Sequence, residues 1–231
     1  MNLRFACVAA AIVLMGTSSA QLDSQYVLQR YALAIDTVPV PKAMAFTYTV
    51  SQAGPNNIEQ RHVMYRSGSD VRDETLAVDG VSLQKKIVRF SKRDDRYAIA
   101  TLAPRTAAYQ LLFIKTLRDG RHVDYVYEAT SLLHTSASAA SIDRVSIDGS
   151  TYLPRVLYFT TSAEGAKGTG RIEYAAFGKY WMPVIAEIDA KVNGKPARER
   201  IVWSDYSFFD SLPASTFQPP KPLPVATLPP I

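Results

Sequence analysis

The stretch Val184-Ile-Ala-Glu-Ile-Asp-Ala-Lys-Val-Asn-Gly-Lys-Pro-Ala-Arg-Glu-Arg-Ile-Val-Trp-Ser-Asp-Tyr206 decides the fold. Asn193-Gly194 lies at its centre, and both residues accept the positive φ that a two-residue hairpin turn demands. The flanking residues 184–192 and 197–206 suit the two strands of one hairpin. Three more such pairs punctuate the chain: Asp79-Gly80, Asp119-Gly120 and Asp148-Gly149. This rhythm predicts a succession of antiparallel hairpins.

Strand patterns fill the intervals. In residues 43–51, Phe46, Tyr48 and Val50 point one way, and Thr47 and Thr49 the other. The turn cluster Ala53-Gly-Pro-Asn-Asn57 follows. Residues 59–66 place His62, Met64 and Arg66 on one face, Gly68 breaks the run, and residues 70–76 continue it. These three strands read as a meander. Residues 87–90, 97–102, 123–129, 153–161 and 170–177 also suit strands. Residues 22–37 form the clearest helix, capped by Asp23 or Ser24, striped by Val27, Tyr31, Ala34 and Ile35, and stopped by Pro39 and Pro41. A short helix fits residues 107–114, through Leu111, Leu112 and Phe113, and residues 131–141 suit a loop or weak helix.

Some strands are apolar on both faces. Val156 and Tyr158 alternate with Leu157 and Phe159; Met182, Val184, Ala186 and Ile188 alternate with Pro183 and Ile185. Both faces of such strands need cover. Either other elements pack there as ordinary core, or one face lines a cavity for an apolar ligand.

The first twenty residues read as an export signal. Arg4 supplies the positive start, Phe5 to Met15 is an unbroken apolar run, and Gly16-Thr-Ser-Ser-Ala20 offers small residues for cleavage after Ala20. The run is about half the roughly 20 residues a bilayer-spanning helix needs. Cys7, the single cysteine, lies inside it and comes too early for lipid attachment. A mature chain without cysteine excludes disulfides, thiol catalysis and zinc–thiolate sites. The expected organisation is a signal peptide over 1–20, one domain over 21–217 and a proline-rich tail over 218–231, in a protein secreted across the inner membrane into the periplasm. The tail carries six prolines and favours extended polyproline.

Composition is that of a globular protein, 47% hydrophobic and 20% charged, with a net charge of +5. The excess is mild. Basic clusters at Lys85-Lys86, Lys92-Arg93 and Arg198–Arg200 read as solvated strand faces. The export signal argues against nucleic acid, while a weak attraction to anionic lipid headgroups stays open.

No catalytic constellation emerges. His62, His122 and His134 stand far apart without a metal-binding spacing. Ser82-Leu-Gln-Lys85 matches a Ser-x-x-Lys motif but follows an Asp-Gly turn in a strand context and has no companion motif. Gly165-Ala-Lys-Gly-Thr-Gly170 has the wrong order for a phosphate loop and suits a hairpin loop. The carboxylates are scattered. The chain therefore reads as non-enzymatic, with no catalytic residue, metal or cofactor.

In the C-terminal half, Leu153-Pro-Arg-Val-Leu-Tyr-Phe159, Lys167-Gly-Thr-Gly-Arg-Ile-Glu-Tyr174, Tyr180-Trp-Met-Pro183, Arg200-Ile-Val-Trp-Ser-Asp-Tyr206 and Leu212-Pro-Ala-Ser-Thr-Phe217 follow in order. This set resembles the closing sheet of the LolA-like superfamily, which includes periplasmic lipoprotein carriers, mycobacterial lipid-binding lipoproteins and RseB-type envelope sensors. The resemblance implies an α+β fold: a single curved antiparallel sheet, an unclosed half-barrel, with an N-terminal helix and short helices over its concave face. It also implies a cavity that takes a lipid or the acyl chains of a lipoprotein, with transient membrane contact. The alternative on the same scaffold is an envelope sensor that binds a protein partner. Inward alternation nominates Phe46, Tyr48, Val50, Met64, Tyr158, Tyr174, Ile185 and Trp203 as the apolar ligand-binding residues. Ordinary core packing is the competing role for each.

Overall fold

Strand alternation resolves into one eleven-stranded antiparallel sheet in the computed structural model, which describes residues 18–54, 57–92, 97–132, 140–163 and 166–219. Helix α1 (Ser18–Thr37) comes first. Strands β1 (Ala43–Ala53), β2 (Ile58–Ser67), β3 (Asp70–Val78) and β4 (Val81–Lys92) form a meander. A one-turn helix α2 (Ile99–Leu102) follows. A second meander runs through β5 (Tyr109–Asp119), β6 (His122–Ser131), β7 (Ser141–Asp148), β8 (Pro154–Ala163), β9 (Ala166–Phe177), β10 (Tyr180–Val192) and β11 (Lys195–Phe209). A 3-10 turn at Ala214–Phe217 is the last element among the described residues. The meanders join where β1 pairs with β11, from Ala43 opposite Phe209 to Ala53 opposite Arg198. Strands β4 and β5 are left as the two edges, so the sheet is an unclosed half-barrel.

The register sorts the faces. Tyr127, Val145, Leu157, Ile172, Ala186, Ile201 and Val50 stand opposite one another in turn across seven strands. All join the core, and the first three are fully buried. The neighbouring row of residues points the other way, because strand side chains alternate. It runs Arg144, Tyr158, Arg171, Glu187 and Arg200. There Arg171 bridges Glu173 at 3.2 Å and Glu187 at 3.0 Å, and Arg144 lies 4.0 Å from the Tyr158 ring centre.

The concave face is covered by α1 and the connection from β4 to β5. Helix α1 buries Val27, Tyr31 and Ile35, four residues apart, on the core. It begins at Ser18, so Asp23 and Ser24 lie inside it and do not cap it. The Ser24 carbonyl instead accepts the Tyr127 hydroxyl at 3.0 Å. The β4–β5 connection must pass from one sheet edge to the other. Residues 97–102, expected as a strand, therefore have no neighbouring strand to bond. The backbone turns on itself, with Leu102 N–H donating to Ala98 and Ala103 N–H to Ile99. Residues 107–114 are the converse case: the open side of β6 supplies a ladder, and Tyr109–Asp119 is a strand where a helix was expected.

Strand β7 forms where the sequence pattern predicts none. A register shift between Ile142 and Arg144 breaks its alternation, so Ile142 and Val145 both reach the core although they are three positions apart.

The turns follow their chemistry at Asp79-Gly80 (φ 50° and 76°) and Asn193-Gly194 (φ 51° and 78°). Asp148-Gly149 behaves differently, since the positive φ of that loop falls on Tyr152. Gly149 serves close approach: its N–H donates to the Val123 carbonyl at 2.7 Å, and a Cβ there would meet that oxygen at 2.8 Å. The Asp148 carboxylate accepts the Ser150 and Thr151 backbone N–H groups at 3.0 and 2.8 Å and both their hydroxyls. The β8–β9 hairpin is tighter than expected, with β9 already begun at Ala166. The proposed signal's residues 1–17, His134, Asp94-Asp95 and residues 220–231 of the tail lie outside the described residues.

Candidate functional site: an aromatic cavity on the concave face

A cavity of about 240 Å³ opens between the β1–β2 and β10–β11 pairs, under the start of the crossing segment. Met44, Phe46 and Tyr48 come from β1, Met64 and Arg66 from β2, Met182 and Pro183 from β10, and Ile201, Trp203 and Tyr206 from β11. Tyr97 and Ala98 of the crossing segment complete the wall. Two irregularities concentrate aromatic rings here. A register shift opposite Ala45–Thr47, with Asp205 at φ 55°, turns both Trp203 and Tyr206 inward although they are three residues apart. A second shift between Pro183 and Ile185 does the same for Pro183 and Ala186. Phe46 packs on Tyr206 at 5.2 Å, and Tyr97 meets Trp203 edge-on at 5.1 Å.

Tyrosine hydroxyls fasten this region. Tyr206 donates to the Pro183 carbonyl at 2.7 Å, Tyr174 to Tyr97 at 3.1 Å and Tyr31 to Pro104 at 2.9 Å. Burial raises the pKa of all three, so they remain protonated donors. Tyr127 is pushed up to about 12 by the same cause. Arg105 pairs with Asp36 and ties the far end of the crossing segment to α1.

A polar cluster backs one wall. His62, buried, stacks on Tyr48 with centroids 4.6 Å apart and planes at 10°. The Tyr48 hydroxyl donates to Asp73 Oδ2 at 2.9 Å. Burial, then the Asp73 charge, raises the Tyr48 pKa. His62 Nδ1 lies 3.3 Å from Asp73 Oδ1 and 3.4 Å from Thr75 Oγ1. These groups position one another behind the cavity wall. Among the described residues, no three potential metal-ligating side chains gather.

Of the eight nominated residues, Phe46, Tyr48, Met64 and Trp203 line the cavity. Val50 and Tyr174 lie on the same face within the core packing. Tyr158 and Ile185 do not join them, and both are corrected to the opposite face. Tyr158 sits between the core residues Leu157 and Phe159, and the stretch is apolar on both sides, so alternation alone could not choose. Ile185 lies just past the β10 irregularity, which shifts the count of faces by one. Met44 and Arg66 were legible by parity with Phe46 and Met64. Tyr97 and Tyr206 were not, because one lies on a non-strand crossing and the other beyond a bulge.

Among the described residues, no helix is long and apolar enough to cross a membrane. No protein-family model matches the chain, and no curated protein matches its sequence. Solved structures do resemble it. A LolA superfamily protein from Nitrosomonas europaea is 12% identical, with a TM-score of 0.43, covering 84% of this chain and 97% of its own. A domain assigned to outer membrane lipoprotein sorting from Vibrio parahaemolyticus is 13% identical, with a TM-score of 0.48 and coverages of 84% and 97%. A DUF1329 family protein from Desulfovibrio piger is 10% identical, with a TM-score of 0.47 and coverages of 84% and 96%.

Proposed function

We propose that this chain is a non-enzymatic carrier of the cell envelope that takes the hydrocarbon part of a lipid or acylated protein into its concave cavity. The observation that supports this reading is the cavity itself. Its wall is built from Phe46, Tyr48, Met64, Met182, Trp203 and Tyr206, on the one face of the sheet that α1 and the crossing segment leave partly uncovered. Moving a methylene group from water into such a site is worth about 0.8 kcal/mol. The export signal read in residues 1–20 supports work in the periplasm, where a hydrocarbon chain needs cover from water.

The test is lipid analysis of the full-length protein purified without detergent, with Met64→Asp as the comparison. An ionised carboxylate in the wall makes burial of hydrocarbon beside it costly. The wild type should carry co-purifying lipid and bind a neutral fluorescent probe such as N-phenyl-1-naphthylamine. The variant should do neither while keeping its β-sheet circular dichroism. Equal lipid loads in the two proteins would overturn the proposal.

A second reading, a protein-interaction module, draws on a different observation. Edge strand β5 exposes Leu112, Phe113, Ile114 and Leu117 beside a backbone edge that pairs with no other strand among the described residues. Such an edge can accept an added strand from a partner. Alternate pull-downs with wild type and Ile114→Lys would separate this reading from the carrier, because only edge docking should be lost.

A further inference from the structure

The cavity is walled by different side chains from the core it adjoins. Elsewhere the concave face is filled by branched aliphatic residues: Ile142, Val145, Ile147, Leu157 and Ile172 are all buried there. Among the described residues that line the cavity, Ile201 alone is of that kind. The rings of Phe46, Tyr48, Tyr97, Trp203 and Tyr206 take the place of the others. Thioethers join them. Met44, Met64 and Met182 come from three different strands, and they are every methionine in the chain beyond Met15. Strand propensity does not account for the exchange, since β-branched and aromatic residues suit strands alike. What differs is the space that the side chains face.

The rings are also fastened. Tyr48 donates its hydroxyl to Asp73 and stacks on His62. Tyr206 donates to the Pro183 carbonyl and packs on Phe46. Trp203 meets Tyr97 edge-on, and the Tyr97 carbonyl accepts the Tyr174 hydroxyl. A wall held in this way is organised before its ligand arrives.

Resting on the carrier reading, we infer that the cavity selects an unsaturated chain, a prenyl or polyunsaturated hydrocarbon, over a saturated acyl chain of the same carbon number. Each double bond makes a flat, polarisable segment that can lie against a ring or a thioether sulfur, gaining more than its buried area alone provides. A saturated chain offers only its area. The two effects have opposite signs here. Hydrophobic burial by itself ranks the saturated chain first, because its apolar surface is the more poorly hydrated. The ring-and-thioether wall reverses that order.

The experiment is displacement of N-phenyl-1-naphthylamine from full-length delipidated protein by two matched pairs of ligands, each below its aggregation concentration. Farnesol is compared with hexahydrofarnesol, and linolenate with stearate. Within a pair the headgroup and the carbon number are the same. One favourable ring contact is worth about two- to tenfold in affinity, so the unsaturated member of at least one pair should bind about threefold or more tighter. The pair that shows the preference tells a prenyl chain from a straight polyene. In Trp203→Leu the preference should fall to within about twofold of one or reverse. M64L/M182L, which nearly conserves volume, should also lower it, and carries the test where W203L fails to fold. Saturated members that bind the wild type as well or better in both pairs overturn the selection and leave the carrier reading intact. A preference that survives both variants overturns the role of the rings and sulfurs. Failure of the probe and all four ligands to bind removes the carrier reading itself.

Discussion

Tyr174 donates its hydroxyl to the backbone carbonyl of Tyr97, 3.1 Å away, and so ties the middle of β9 to the segment crossing the concave face. The bond is long-range in sequence and joins a buried strand residue to a non-strand backbone. Tyr174→Phe should leave that carbonyl without its donor, at a cost of about 1–3 kcal/mol. Urea denaturation measures the loss. Amide exchange should quicken at residues 97–105 before it does in β9, because the crossing segment has no strand ladder to hold it.

Gly170 is required by space. A Cβ there would lie 2.5 Å from Phe159 Cζ and 2.6 Å from the Glu187 carbonyl oxygen. Gly170→Ala should destabilise by about 1–3 kcal/mol, the usual cost of overpacking. Adding Phe159→Ala should not restore stability, because the carbonyl belongs to a paired strand and cannot move aside. A thermal melt of the single and double variants checks this.

Asp148 gives a pH dependence of known sign. Burial pushes its carboxyl up, but hydrogen bonds from Ser150 and Thr151 outweigh burial and hold the pKa below the ordinary carboxylate value. A pKa lower in the folded than in the unfolded chain means that ionised Asp148 favours the fold. This contribution is complete above the unfolded value of about 3.9 and is lost as pH falls through the folded one. Asp148→Asn should lower stability at neutral pH and flatten the stability profile below about pH 4, measured by urea midpoints across that range.

Tyr158 and Met64 separate the two faces of the sheet. Tyr158→Ala removes the partner of Arg144 on the face away from the cavity, where such an exposed cation–π contact is worth about 0.5–1 kcal/mol. Probe uptake should be unchanged. Met64→Ala, on the cavity side, should alter probe affinity with a comparable effect on the melt.

The hairpin rhythm was legible because turn chemistry is local. Asp79-Gly80 and Asn193-Gly194 need no tertiary partner to favour their φ values. The helical stripe of Val27, Tyr31 and Ile35 was legible for the same reason. What escaped depends on neighbours far along the chain. Residues 97–102 have the composition of a strand but no strand beside them, and residues 107–114 suit a helix but lie against an open ladder. Bulges hid the rest, since one extra residue exchanges the faces: Ile142, Ile185 and Tyr206 all lie at or beyond such a shift. Half of the nominated residues reach the cavity for the converse reason. Phe46, Tyr48 and Met64 sit on runs of unbroken parity.

The pairing of β1 with β11 has a kinetic side. Among the described residues, the four-strand and seven-strand meanders share no ladder except this one, and its second strand, Lys195–Phe209, is the last strand to be made. Until those fifteen residues arrive, β1 exposes one unsatisfied edge and the aromatic hollow lacks Ile201, Trp203 and Tyr206. Maturation of the sheet is therefore a late, long-range event, and a ribosome-tethered chain would hold two open half-sheets with no aromatic hollow between them.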